Sequence, residues 1–213
     1  MYNLPNHKEH NPQVVYEFIR NYPFAIITGT SAQGTPVATH VPLLIKERED
    51  GLYLQGHIMK QTDHHKAFEN NRQVLAVFSG PHAYVSASWY ENKQQASTWN
   101  YMTVHAAGEI NFLDAAALPG MLDELTAHFE QNPASPSLYK ELPQAYLERM
   151  LKAIIAFEIR VASLDHVFKL SQNRDQKSFE HIIEQLQQRD ADSRAIAAEM
   201  EKRKKDLFGI GNP

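Results

Sequence analysis

The sequence predicts an α+β fold, mainly β, in which antiparallel strands are flanked by helices, and three observations carry that expectation. Short runs rich in β-branched and aromatic residues recur through the first half of the chain, separated by turn signals such as Ser31-Ala-Gln-Gly34 and Glu47-Arg-Glu-Asp-Gly51. Two more such runs, 83–90 and 97–106, enclose the polar segment ENKQQ and read as a hairpin holding Trp89, Tyr90, Trp99 and Tyr101. Helical periodicity marks 12–22, 114–130, a short stretch near 146–151, and the tail from Asp175.

Asn11-Pro12 starts the first helix with Pro at its first position, and Val15, Phe18, Ile19 and Tyr22 line one face of it. Pro23 ends that helix, 24–30 reads as a strand, and 35–46 reads as its hairpin partner. Pro36 and Pro42 donate no ladder hydrogen bonds, so the second run belongs at an edge or a bulge. Residues 52–58 form a third strand, Thr62 or Asp63 caps a short helix carrying Phe68, and 74–79 resumes as a strand. After the hairpin, Leu118, Met121, Leu122, Leu125 and Phe129 mark an amphipathic helix, and 153–161 is the last long strand, continuing into HVFKLSQN. From Asp175 the chain reads as helix with Phe179, Ile182, Ile183 and Leu186 on one face and a break of register at 190–193. This tail is either a docked helix pair or an arm reaching a second subunit.

A chain of 213 residues can bury one substantial core plus a helical appendage, and no stretch is apolar for long enough to span a bilayer. The opening MYNLPNHKEHNP lacks the basic-then-apolar pattern of a secretory signal, so a cytoplasmic location is expected. With no cysteine, disulfides, thiolate catalysis and cysteine-ligated metals are excluded. A net charge of -4 supplies no global attraction for nucleic acid. The basic block Lys202-Arg203-Lys204-Lys205 follows Glu199 and Glu201 at a helix C-terminus, where cations complement the helix dipole, so it reads as a solvated face.

Eleven histidines raise the question of a metal, but His64 and His65 are adjacent and point apart, so no metal centre is expected. No G-x-G-x-x-G, P-loop or G-x-S-x-G motif is present, which removes Rossmann, P-loop and serine-hydrolase readings, and no catalytic group is singled out. Met59-Lys60-Gln61-Thr62 leads into a helix start whose first turn holds His64, His65 and Lys66. Free amides, hydroxyls and an ammonium at a helix N-terminus suit a phosphate, although an inward Asp63 would repel one. A capped surface helix with solvated charges reads equally well. The aromatic hairpin likewise suits a flat ligand, an ordinary core or a dimer interface.

The pieces YPFAIITG, ATHVPLLI, LQGHIMK, GPHAYVSASWY, STWNYMTVHAAGEI and KLSQN, in this order over 22–173, make the chain resemble the PaiB-type family of FMN-binding negative transcriptional regulators. Many members carry an arginine-bearing sequence after the GHI element and a proline before the S-W-Y; here Met59-Lys60-Gln61-Thr62 and Ser86-Ala87-Ser88 stand in those places. The resemblance implies a split β-barrel of the flavin-reductase or pyridoxamine-oxidase-like type, over 1–173, with a C-terminal helical extension over 174–213. It also implies a homodimer with FMN at the subunit interface. By the same analogy the phosphate lies near His57, Lys60, Thr62 and Lys66. The ring lies against Ser88, Trp89, Trp99, Asn100 and Tyr101, with Lys169, Ser171 and Gln172 closing the site from the partner subunit. Transcriptional regulation, and DNA as a partner, are implied by the resemblance alone; no helix-turn-helix is visible. A flavin-dependent oxidoreductase acting on a small substrate is a second reading of the same pocket, because a cofactor carries the chemistry without a protein dyad. A flavin-free interaction module is a third.

Overall fold

In a computed structural model that describes residues 1–209, the β-branched runs become seven strands and the periodic segments six α-helices. In chain order these are α1 Pro12–Asn21, β1 Phe24–Thr30, β2 Pro36–Pro42, β3 Leu44–Arg48, β4 Gly51–Met59, α2 Asp63–Asn70 and β5 Gln73–Val85. They continue with β6 Thr98–Phe112, α3 Ala117–Glu130, α4 Gln144–Ala153, β7 Ile154–Lys169, α5 Gln176–Gln187 and α6 Ala191–Phe208. Residues 210–213 of the expected C-terminal extension lie outside the described residues. No helix among the described residues is long and apolar enough to cross a membrane.

The chain divides into two compact units. One, the sheet unit, comprises Ile19–Phe78 and His105–Leu164. The other, the hairpin unit, comprises Met1–Phe18, Ser79–Val104 and the chain from Asp165 onward.

The strand order is β2-β1-β5-β6-β7-β4-β3, and β1 with β2, β1 with β5, β3 with β4 and β4 with β7 pair antiparallel: Thr28 faces Ala38, Ile27 faces Ala76, Ile45 faces Leu54 and Gly56 faces Phe157. The run 35–46, expected as one strand, is two. Pro42 has no N–H to continue the ladder, the Leu43 amide donates to Pro23 O at 2.9 Å, and Leu44 begins a strand that pairs with β4 instead. The edge placement expected from the two prolines holds, since β2 is the first strand of the order. In the sheet unit Ile27, Leu43, Leu54, Phe68, Phe78, Ile110, Phe157 and Ile159 are almost wholly buried. At roughly 1.5–3 kcal/mol for each large apolar side chain, they supply most of the unit's cohesion.

Two expected runs, 74–79 and 83–90, are one strand and a turn. In β5 the buried side is Val74, Ala76 and Phe78, then Pro81, Ala83 and Val85, a one-residue shift of phase after Phe78. Beyond Val85 the Ser86 hydroxyl accepts from Ser88 N at 3.2 Å and closes a 3-10 turn at Ala87–Trp89 in place of further strand. In the tail, Asp175 accepts from Ser178 N and Asp190 from Ser193 N, each at 2.9 Å, so each helix carries its own N-cap and the expected break falls between the two. α5 buries Phe179, Ile182, Ile183 and Leu186, α6 buries Ile196, Ala197 and Met200, and Phe179 meets Phe208 edge-on at 5.3 Å. The tail is thus a helix pair docked within its own chain.

Gly108 shows how close β6 and β7 run. A Cβ there would lie 2.2 Å from Arg160 O, a backbone atom that cannot step aside. Gly108→Ala is expected to lower unfolding stability by about 3 kcal/mol, the upper end of overpacking costs. Gly120→Ala, in α3 with nothing within 4 Å of the new methyl, is expected to be neutral or to add up to about 1 kcal/mol. Urea midpoints of the two variants, measured side by side, check this.

Candidate functional site

In the sheet unit, β4 delivers His57 and then Met59, and the chain turns into α2 through Lys60-Gln61-Thr62. Gln61 sits at φ 65, a left-handed conformation that costs a non-glycine residue about 1–2 kcal/mol. The turn is held by Lys60 N donating to Ala153 O at 2.8 Å and by Thr62 as the N-cap of α2, accepting from His65 N at 3.3 Å. The Thr62 hydroxyl hydrogen is already given to Met59 O at 3.0 Å, so toward a ligand Thr62 offers backbone and cap geometry. His64 Nε2 lies 3.0 Å from Thr62 Oγ1 and its Nδ1 lies 3.1 Å from Asp63 Oδ1. Asp63 is thereby turned to His64, and hydrogen bonds from the His64 amide and ring hold its carboxyl below the usual range.

The ion pairs of this unit take up Arg20, Lys46, Arg48 and Arg72. Among the described residues the ammonium groups of Lys60 and Lys66 have no such partner; Lys66 is exposed, and Lys60 lines a small cleft with Asp114, Leu118 and Ile154. His57 Nδ1 is buried without a hydrogen-bond partner, and burial holds the ring's pKa below that of a free imidazole. A phosphate fits this donor set: two lysines without an ion-pair partner and a buried ring nitrogen with nothing to bond, beside a helix start whose His64 and His65 amides are held by Asp63 and Thr62.

In the hairpin unit hydrogen bonds tie Lys169 to Trp99 and Ser171 to Asn100. Lys169 Nζ donates to Thr98 Oγ1 and, at 2.8 Å, to Trp99 O. Ser171 Oγ donates to Asn100 Oδ1 at 3.0 Å, and the Asn100 amide, wholly buried, reaches Met200 Sδ at 3.5 Å. Ser171 also sits in the left-handed region, at φ 61. Gln172 is spent locally, accepting from Leu170 N at 2.7 Å and donating to Phe168 O. Lys169 and Ser171 therefore contact the hairpin within one chain. Burial lowers the Lys169 pKa, with Arg174 adding to it, and burial raises that of Tyr101.

Trp99 is 53% exposed, with Tyr84 edge-on at 5.8 Å and His82 at 6.0 Å, an open aromatic surface that a flat ring can cover. Trp89 is half-buried and Ser88 exposed, its hydroxyl 2.8 Å from that of Ser86. Three groups that sequence reasoning missed brace this segment from α5 and α6. His181 Nδ1 donates to Trp89 O at 2.9 Å, the buried Ser178 hydroxyl accepts from Glu91 N at 2.9 Å, and Met200 backs Asn100. Ser178 left a trace in the sequence as the third residue after Asp175, and Met200 as an apolar residue of the tail helix. Among the described residues no group of His, Asp and Glu is arranged to hold a metal.

Residues 1–163 match the family model described as "Putative FMN-binding domain". Protease synthase and sporulation protein PAI 2 of Bacillus subtilis is 34% identical over 92% of this chain and 95% of its own. Two solved structures share the fold. One is the FAD and heme binding protein of Mycobacterium smegmatis, at 16% identity and TM-score 0.57 over 76% of this chain and 72% of that one. The other is the flavocytochrome Anf3 of Azotobacter vinelandii, at 17% identity and TM-score 0.55 over 75% and 68%.

The lowered His57 pKa makes the neutral ring the stabilising form. Its contribution is complete above the free-imidazole value of about 6.5 and is lost as pH falls from there through the lower folded value. Unfolding stability is expected to drop below about pH 6.5, and the drop is expected to be shallower in His57→Gln; urea titrations at pH 7.5 and pH 5 check this.

Proposed function

The chain belongs to the FMN-binding domain family, of PaiB type, and has its split β-barrel fold with FMN as the cofactor; from that premise we propose that it is a dimeric regulator of gene expression that uses FMN as its sensing group. The phosphate is assigned to His57, Lys60, Lys66 and the Thr62-capped turn. The ring is assigned to Ser88, Trp89, Trp99, Asn100 and Tyr101, with Lys169, Ser171 and Gln172. When bound, FMN supplies one- or two-electron redox chemistry. The chain's own residues bind the phosphate, cover the ring and hold Asn100 and Lys169 in fixed positions beside it.

The observation that carries this reading is backbone strain. Among the described residues three non-glycine residues have positive φ: Gln61, Gln131 and Ser171. Gln131 is the C-cap of α3, where a left-handed residue is ordinary. The other two have no such excuse, and each lies inside one of the two groups assigned to the flavin, which is where proteins concentrate strained backbone.

Regulation through the basic block of the tail is not favoured. Lys202 and Arg203 pair with Glu199, Arg203 also approaches Glu9, and Lys204 pairs with Glu180 and Glu201. The basic block is therefore not offered as a DNA surface, DNA remains a partner by the family resemblance alone, and the location is proposed as cytoplasmic. A flavin-dependent oxidoreductase is the second reading, favoured by the exposed aromatic surface at Trp99 and Tyr84, which leaves room for a second planar molecule.

Loss of one charge-assisted contact costs about 1.5–3 kcal/mol. Lys60→Ala and Lys66→Ala are each expected to weaken FMN binding by about 10–100-fold while leaving riboflavin binding unchanged. Equal loss for both flavins would remove that lysine from the phosphate group. Steady oxidation of a reduced nicotinamide by the FMN-loaded protein would favour the oxidoreductase over the regulator.

A further inference from the structure

The first eleven residues form a strap over the far end of β7, tied to it through His166 and Asp165. Within the hairpin unit His166 Nε2 accepts a hydrogen bond from the Glu9 amide at 2.7 Å. Beside it Lys8 Nζ donates to Asp165 Oδ1 and, at 2.9 Å, to His166 O. Upstream, the 3-10 turn Pro5–His7 buries His7 to 5% exposure, with its Nδ1 unpartnered. The strap thus reaches the group formed by Lys169, Trp99 and Asn100, since Lys169 is near enough to act on His7 electrostatically and Tyr2 on Tyr101.

An amide N–H needs a lone pair to point at, so His166 Nε2 must be unprotonated while the strap is closed. Protonation would set N–H against N–H at 2.7 Å and turn the strap's anchor into a repulsion. We propose that His166 is a proton-operated latch that closes residues 1–11 over the Lys169 end of β7 when neutral and releases them when charged.

The surrounding charges fit a latch that opens in mild acid. Burial and the Lys8 ammonium keep the His166 ring neutral, opposed by the carboxylates of Asp165 and Glu9 and by a backbone hydrogen bond with Glu9. From the strap, His7 and the α-amino group add to this set, while His10 is exposed. From α6, Arg203 lies 3.9 Å from Glu9, is bonded to Glu199, and stands 5.7 Å over Phe168. From β7 itself come Asp165 and Lys169, and from β6 Tyr101. Hydrogen bonding to Lys8 holds the Asp165 carboxyl below the usual range, so this pair persists at pH 5 and does not trigger the release. The folded His166 pKa is lowered, so the closed state is complete at neutral pH and is lost as pH falls through that value. The latch stands on the strap's own contacts; only its consequence, easier access to the flavin ring, rests on the FMN assignment above.

Amide exchange of the full-length protein tests this, read as the protection factor of the Glu9 amide at pH 7.5 and pH 5, with the Asn100 and Ser171 amides as internal controls of folding. The expected result is about a 10-fold or larger fall in Glu9 protection at pH 5 with the controls unchanged. His166→Gln keeps an acceptor oxygen at the reach of Nε2 but takes up no proton, so it is expected to stay protected at both pH values. Equal protection of the wild-type Glu9 amide at both pH values would overturn the proposal. So would a loss at pH 5 that persists in His166→Gln, because it would assign the release to His7. FMN binding is not read in this experiment, so failure of the flavin assignment leaves the outcome intact.

Discussion

One residue separates two strands that occupy opposite ends of the strand order, and the sheet unit is shaped by that constraint. β2 pairs with β1 at one end and β3 pairs with β4 at the other, yet only Leu43 lies between Pro42 and Leu44. Consecutive Cα atoms are about 3.8 Å apart, so the two ends of the order must approach to within about 7 Å. A flat sheet of seven strands spaced about 4.8 Å apart cannot meet that demand, and the sheet curls until its edges meet. Gly56 shows the closure: a Cβ there would lie 3.1 Å from Pro42 O and 3.0 Å from the Leu43 side chain. Closure also protects edge strands that would otherwise present unpaired backbone groups.

The candidate residues follow from that curl. β4 lies between β3 and β7, and its end carries His57 and the strained turn at Gln61 into α2, whose N-cap Thr62 takes the His65 amide. The helix pair α5–α6 does the corresponding work in the hairpin unit. It buries an apolar face continuous enough to dock, and from that face His181, Ser178 and Met200 fix the segment from Trp89 to Asn100. A rigid support behind a ligand-facing group is what positions a cofactor to within the tolerance its chemistry needs.

Much of this was legible in the residues. The edge character of 36–42 followed from two prolines, the start of α1 from Asn11-Pro12, and the break in the tail from a lost register near 190. The aromatic hairpin was visible because Trp and Tyr are rare and here adjacent. What was hidden had physical reasons. The crossing at Leu43 depends on a carbonyl from Pro23, twenty residues upstream, which no local pattern reports. The strand end at Val85 was set by one serine hydroxyl outcompeting the ladder. The strap is a polar lead in sequence terms, and only the 2.7 Å contact between Glu9 and His166 gives it a role. The resemblance carried the cofactor; periodicity and spacing alone left a flat ligand, a core and an interface equally open.

The central claim is that this chain holds FMN, and an absorbance spectrum tests it most directly. Purified protein is mixed with FMN, desalted and scanned. Retained bands near ~370 and ~450 nm, in about one equivalent per chain, are the predicted result. A spectrum without those bands after reconstitution would contradict the account and leave the two residue groups as structure without a cofactor.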